Sequence, residues 1–337
     1  VQSRIAFWVG SISVALTLIL GGCQTQNPAD QANPQAKKST SESGDRIQVA
    51  VIPKGSTHEF WKAVKAGAEE GGQVANAEII WKGPLQESDR EEQIRIVEDF
   101  TTRGVDAIVL APLDESALKA SVQNAVAQGI HVIIIDSALK DSPDLPFVAT
   151  DNFKGGQMAG EEMRRLLTGG GNVIMLRYQE GSASTAEREA GFLQAIQAEP
   201  SIKVLSSNQY GGATKETAQA AAENLLSRFP QVDAIYCPNE SSTAGMLRAL
   251  QSAGLAGKVK FVGFDSSPQL LEGLSKGEIH ALILQNPFNM GKLGVEAAVN
   301  KKKGEPVEAR IDTGATLVTQ ANRNEPDIAK LLAPSKE

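Results

Sequence analysis

The chain has 337 residues, of which 41% are hydrophobic and 22% charged, with a formal net charge of −7 and two cysteines. An acidic balance with no basic cluster excludes a nucleic-acid-binding surface of the usual kind, and this length exceeds what one hydrophobic core usually serves, so two domains are expected. If the first cysteine is modified as argued below, Cys237 stands alone and no internal disulfide forms; it reads as a small buried hydrophobe, not as a nucleophile.

In chain order, the first segment reads as an export signal. Arg4 precedes an apolar run from Ile5 to Leu20, which ends in Leu20-Gly21-Gly22-Cys23. A cationic start, an apolar stretch short for a spanning helix and small residues before a cut make a secretory signal. Residues 1–22 are therefore expected to be a signal peptide, with an uncleaved membrane anchor as the alternative, and either places the remainder outside the cytoplasm. The end of the segment resembles a bacterial lipobox, which implies cleavage before Cys23 and a diacylglyceryl group on its thiol, holding the protein at a bilayer surface. Residues 23–45 are rich in Gln, Asn, Ala, Ser, Lys and Pro without a large apolar side chain, so they are expected to form a disordered tether.

From Ile47 onward, short β-branched runs alternate with amphipathic helices. Ile47 to Ile52 is followed by a helix around Glu59 to Gln73, Glu78 to Trp81 by one around Ser88 to Thr102, Val105 to Leu110 by one around Glu115 to Gln128, and His131 to Ile135 closes the series. Asp114 reads as the start of the third helix, and Gly104 and Gly129 as helix stops. A second series begins after Asp151: a helix near Gly155 to Leu167, Val173 to Leu176, a helix near Thr185 to Gln197, Val204 to Leu205, a helix near Lys215 to Arg228, Ala234 to Tyr236, a helix near Ser241 to Ala253, and Lys260 to Phe264. Ala281 to Thr319 adds a strand, a helix and two short extended pieces. Nearly all-apolar strands belong to parallel sheets covered on both faces, so the fold class is α/β, with two Rossmann-like lobes, each a parallel sheet flanked by helices.

Ligands of open parallel sheets sit beyond the carboxyl ends of the strands. The residues there are Lys54, Pro112 to Asp114, Asp136, Tyr178 to Ser184, Pro238 to Glu240, Asp265 and Gln285, with Phe60-Trp61 at the start of the first helix. Carboxylates accept, Arg donates a fork and amides do both, which suits hydroxyls, while aromatic faces suit the C–H surfaces of a sugar ring. Asp136, Arg188, Asn239, Asp265 and Gln285 with Phe60 and Trp61 supply that combination. Asp136 and Asp265 also read as helix N-caps after a strand, and His58 is open between a cleft and a structural role. No Walker A pattern, dinucleotide fingerprint, HExxH or Cys cluster is present, so no cofactor, metal or catalytic residue is expected. Gly169-Gly170-Gly171 reads as a helix stop and His131 as structural.

From about Ile47 to Thr319 the sequence resembles the ribose- and galactose-type periplasmic sugar-binding proteins, the substrate-binding lipoproteins of ABC transporters related to LacI ligand-binding cores. The resemblance rests on Phe60-Trp61, Arg103-Gly104-Val105-Asp106, Ile135-Asp136, Ala149-Thr150-Asp151-Asn152 with Gly155-Gly156, Ala186-Glu187-Arg188, Asn239-Glu240, Val262-Gly263-Phe264-Asp265 and Gln285. It implies a type I periplasmic binding protein fold with a three-strand hinge, lobe 1 comprising 46–150 plus 286–313 and lobe 2 comprising 151–285 plus 314–330. It further implies that Phe60 and Trp61 stack a ring, that Asp136 and Arg188 hold hydroxyls from opposite lobes, that Asn239 and Asp265 add contacts, and that Gln285 serves hinge and cleft. Lys54, Ala111-Pro112 and Asp136-Ser137 depart from the ribose binders, so the implied ligand is a sugar-like class, not ribose itself. Ile52-Pro53-Lys54 and Gly83-Pro84 resemble binders of a furanosyl autoinducer, where Lys54 either reaches a ligand oxygen or forms a solvated lip.

The implied function is capture of a monosaccharide or sugar-like ligand and its delivery to an ABC permease by a monomeric, lipid-anchored extracytoplasmic protein that is not an enzyme. The alternative is a receptor for chemotaxis or quorum sensing that uses the same cleft. Glu69, Glu70 and Glu189 are read either as permease salt-link partners or as an ordinary solvated face.

Overall fold

Short β-branched runs become strands and the segments between them become helices, in two successive series. A computed structural model describes residues 46–332; the expected signal peptide at 1–22, the lipidation at Cys23 and the tether at 23–45 lie outside the described residues. The first series is β1 (Gln48–Ile52), α1 (Glu59–Ala75), β2 (Glu78–Trp81), α2 (Arg90–Arg103), β3 (Ala107–Leu110), α3 (Lys119–Ala127), β4 (His131–Ile135) and β5 (Phe147–Ala149). The second is α4 (Asn152–Leu166), β6 (Gly171–Arg177), α5 (Ala183–Gln197), β7 (Ile202–Tyr210), α6 (Lys215–Arg228), β8 (Ala234–Tyr236), α7 (Glu240–Ser252), β9 (Lys260–Phe264), α8 (Pro268–Ser275) and β10 (Ala281–Leu284). Then follow α9 (Pro287–Lys303), β11 (Arg310–Asp312), β12 (Thr316–Thr319) and α10 (Pro326–Leu332).

Two six-stranded sheets result, ordered β2-β1-β3-β4-β5-β11 and β7-β6-β8-β9-β10-β12. Each pairing is parallel except the antiparallel β10–β12. Strands such as Ala107–Leu110 and Ala281–Leu284 are buried throughout, because helices cover both faces. In both sheets the strand order reverses beside the first strand, between β1 and β3 and between β6 and β8, which opens a crevice at the carboxyl ends.

The chain passes between the sheets at 150–151, at 285–286 and at 313–315. Side chains tie these passages together: the Thr150 hydroxyl donates to the Gly314 carbonyl (3.2 Å), and the Asp151 amide donates to Asp312 Oδ1 (3.1 Å). The second passage carries α9 back to the first sheet, where it packs on α1, β3 and β4. Glycines allow that approach, since a Cβ on Gly67 or Gly291 would overlap the carbonyl of Phe288 or Val64. The same device joins α4 to α5 through Gly156, which lies under the Arg188 carbonyl, and Gly191, under that of Phe153.

Two expectations change. Asp114 does not start α3: its Oδ1 accepts the amides of Ser116 and Ala117 (both 2.9 Å) and caps a separate turn, and the helix begins at Lys119. Glu189 is not part of a solvated face, because α5 turns it inward, where it pairs with Arg177 at 2.7 Å.

Candidate functional site

The carboxyl ends of the strands from both sheets converge on one hollow. Its lining includes Lys54, His58, Phe60, Trp61, Asp136, Arg188, Asn239, Asp265 and Gln285, so all nine residues singled out in the sequence meet there. The space enclosed there is about 30 Å³, on the order of one water molecule and far below the roughly 300–1,000 Å³ of small-molecule pockets.

Lys54 follows β1 across Pro53, and the buried Gln93 of α2 fixes that corner. Its Nε2 donates to the carbonyls of Pro53 (2.9 Å) and Ala111 (2.8 Å), and its Oε1 accepts the Leu113 amide (2.8 Å). Only 3% of Lys54 is exposed. Its ammonium contacts Asp136 Oδ2 (2.8 Å), Ser184 Oγ (3.1 Å) and Ser182 Oγ (3.5 Å), and the two serines belong to the second sheet's side of the cleft. Lys54 is therefore enclosed by the cleft and is not a solvated lip.

Asp136 and Asp265 end β4 and β9, and neither is a helix cap. Both have left-handed backbones, with φ of 61° and 67°, a conformation uncommon for non-glycine residues and associated with functional sites. Arg188 is 2% exposed and lies over the Phe264 ring at 4.1 Å. Its Nε donates to Asn152 Oδ1 (2.9 Å) and its Nη1 to the Pro238 carbonyl (3.0 Å). The remaining nitrogen, Nη2, is 4.0 Å from Asp136 Oδ1 and has no hydrogen-bond partner.

Asp265 accepts from Gln285 Nε2 (2.8 Å) and from the Glu240 amide (3.0 Å). Burial pushes its carboxyl up to about 6, against the opposing pull of Arg188 and Gln285. Gln285 Oε1 is buried without a partner. Asn239 lines the hollow but caps α7, its Oδ1 accepting the Ser242 amide at 3.2 Å.

The aromatic side of the cleft is organised by Glu87, a residue that sequence reasoning missed. Phe60 and Trp61 meet edge to face, with centroids 4.8 Å apart and planes at 89°. The Glu87 carboxylate accepts the Trp61 indole N–H, the His58 Nδ1–H (2.7 Å) and the Tyr178 hydroxyl, which comes from the end of β6. The Gln179 side-chain Nε2 also donates across to the Glu87 backbone carbonyl at 2.9 Å. Burial opposes the His58 imidazolium, but the charge of Glu87 and the more distant Glu240 outweigh it and raise its pKa to about 9. Burial likewise opposes the Glu87 carboxylate, and His58 overrides it to hold the carboxyl well below the usual range.

Glu240, which lay in a flagged stretch but was given no role of its own, accepts the Phe60 amide at the start of α1 (3.2 Å) and lies 3.0 Å from Lys215. Ser184 and Thr185 complete the newly found lining. The rule that strand ends carry the chemistry would have reached Glu87 had it been applied to the loop after β2. Tyr178, Ser184 and Glu240 lay in the stretches flagged by that rule. The two sides are in direct contact at Lys54–Ser184, Glu87–Tyr178 and Phe60–Glu240, a closed arrangement.

Among the described residues no group of three or more His, Cys, Asp or Glu side chains is placed to hold a metal ion. No described helix is long and apolar enough to cross a membrane.

Residues 49–306 match the family described as periplasmic binding protein domain. The ribose import binding protein RbsB of Bacillus subtilis (strain 168) is 29% identical over 313 residues, covering 92% of this chain and 99% of that protein. A carbohydrate transporter solute-binding protein of Agrobacterium radiobacter, solved with D-arabinose, superposes with a TM-score of 0.82 at 32% identity, covering 86% of this chain and 100% of the other. An ABC transporter solute-binding protein of Agrobacterium vitis, solved with D-fucose, gives 0.82 at 33% identity over 85% and 100% of the two chains.

Proposed function

We propose, from the premise that the chain belongs to the periplasmic binding protein domain family, that it captures a monosaccharide or sugar-like ligand between its two lobes and delivers it to an ABC importer. One observation carries this reading. In the cleft a buried donor, Arg188 Nη2, and a buried acceptor, Gln285 Oε1, have no hydrogen-bond partner, while Glu240 Oε1, likewise without one, is ion-paired with Lys215 at 3.0 Å. A hydroxyl both accepts and donates, so ring hydroxyls satisfy both atoms, and leaving such groups unsatisfied is costly. The aromatic residues Phe60 and Trp61 suit the C–H faces of the ring. The family relatives solved with D-arabinose and D-fucose support the same chemical class.

In this reading lobe 1 is 46–150 plus 286–313 and lobe 2 is 151–285 plus 314–330, and the passages at 150–151, 285–286 and 313–315 are the hinge. Ligand contacts from both lobes favour the closed state over the open one. Lys54, His58, Phe60, Trp61, Asp136, Arg188, Asn239, Asp265 and Gln285 are the proposed ligand shell. Cys23 is the proposed lipid attachment point, which keeps a monomeric domain at the membrane surface beside its permease; incorporation of labelled fatty acid by the wild type and not by Cys23→Ala tests this.

The central test is a thermal-shift screen with pentoses, hexoses, deoxysugars, polyols and furanosyl autoinducers, since a ligand that binds only the folded state raises Tm. A sugar-like compound is expected to shift the melt, and Arg188→Ala is expected to abolish the shift. A flat response across the panel refutes the sugar reading.

A further inference from the structure

The loop that follows Tyr178 is gripped by the opposite side of the cleft at three consecutive residues. Gln179 Nε2 donates to the Glu87 backbone carbonyl (2.9 Å), Arg90 Nη2 donates to the Glu180 carbonyl (2.8 Å), and the Glu115 amide donates to the Gly181 carbonyl (2.9 Å). Arg90, the first residue of α2, is aimed by Asp114, whose Oδ2 lies 3.2 Å from its Nε while Oδ1 holds the Ser116 and Ala117 amides. Gly181 has a φ of 88°, and a Cβ there would overlap Asp114 Oδ2, so the seat suits glycine alone. Arg90, Asp114, Glu115 and residues 179–181 do not line the hollow, whereas Tyr178 and Ser184 on either side of the loop do.

We propose that Arg90, Asp114 and the 179–181 loop form a latch that closes the lobes independently of the ligand, so that the ligand-free protein already populates the closed state. The inference rests on the lobe closure of the proposed function and names what sets its equilibrium. Only contacts made in one state and lost in the other bias an exchange between them. The Arg90–Asp114 pair lies within one lobe and survives opening, so Asp114 acts by orienting the donor. The three hydrogen bonds to 179–181 cross between the lobes and are lost. Each favours closure by about twofold to tenfold, and the three together by on the order of a hundredfold. Standing outside the hollow, the latch favours closure of free and occupied protein alike. It therefore slows both entry and release, since each must await opening, and changes affinity less than it changes rates.

The purified, ligand-free protein tests this with Trp61 as reporter. Trp61 is 3% exposed and lines the hollow, so opening uncovers its ring; Trp8→Phe and Trp81→Phe remove the other two tryptophans. Acrylamide quenching and the radius of gyration from small-angle X-ray scattering are read together. The parent is expected to be compact and shielded from acrylamide. Arg90→Ala should raise the open-to-closed ratio about fivefold to tenfold, and Arg90→Ala with Gly181→Ala by on the order of a hundredfold, with quenching and radius rising in both. Arg95→Ala removes a cation from the same helix that pairs with Glu92 inside lobe 1, and it should match the parent.

Wild-type circular dichroism separates opening from unfolding. The Arg90 side chain is 41% exposed, so Arg90→Ala keeps the fold and decides the matter if the glycine variant unfolds. A parent whose Trp61 is already open to acrylamide, or latch variants as shielded and compact as the parent, overturns the latch. No sugar enters the measurement, so either result leaves the sugar reading standing, to be judged by the thermal-shift screen.

Discussion

His58 makes the folded protein sensitive to pH in a direction that the geometry dictates. Only 5% of it is exposed, Glu87 is bonded to its Nδ1, Glu240 lies beyond on the second lobe, and Lys215 opposes with its own charge. Its pKa of about 9 in the folded state, against an ordinary value of 6.5, means that between these two the folded protein holds a proton that the unfolded chain has released. The associated stability is complete below pH 6.5 and is lost as pH rises through 9. A rise from 6.5 to about 9, at about 1.4 kcal/mol per pH unit, makes that loss on the order of 3 kcal/mol. For a protein of this size roughly 2 °C accompanies each kcal/mol, so Tm should fall by about 6 °C across that window. Circular dichroism melts of wild type and His58→Gln at pH 6.5, 7.5, 8.5 and 9.5 isolate the contribution, since other groups titrate alike in both. If the wild-type and variant melts run parallel across the window, the ion pair with Glu87 does not hold the proton and the reasoning fails.

Other substitutions probe single links. Arg188→Lys keeps the charge but loses the fork that reaches Asn152 and Pro238; ligand affinity should drop about a hundredfold and stability by about 2–4 kcal/mol, read by calorimetry and denaturant unfolding. Gly156→Ala places a methyl against the Arg188 carbonyl, so α4 and α5 must separate; a stability loss of about 1–3 kcal/mol is expected, together with weaker ligand binding, whereas a stabilised variant would show that the contact relaxes freely. Asp136→Ala leaves Lys54 buried without its carboxylate and should cost about 3–5 kcal/mol; an unchanged urea midpoint refutes the pairing.

Much of the scaffold was legible because its signals are local. The apolar runs of β1, β3 and β4 mark strands buried on both faces, and Gly104 stops α2 with a φ of 69°. The rule that chemistry collects after such strands led to Lys54, Asp136, Asn239, Asp265 and Gln285, while Phe60, Trp61, His58 and Arg188 were reached from the start of the first helix and from the chemistry that suits hydroxyls; all nine are among the residues that line the hollow. The short α8 was not read in the sequence: Ser267 caps it and Pro268 opens it, but its eight residues are too few for a periodic pattern to stand out.

What the sequence by itself determined was this alternation and the side chains delivered to the strand ends, both properties of neighbouring residues. Only the tertiary structure decided which of those side chains meet. Glu87 and Tyr178 are 91 positions apart and Phe60 and Glu240 are 180 apart, yet each pair bonds across the cleft. The left-handed backbones of Asp136 and Asp265 and the inward turn of Glu189 follow in the same way from the packing of strands and helices around them. Burial removes water from those groups, and the partners that replace it come from distant parts of the chain, so no local pattern in the sequence records them.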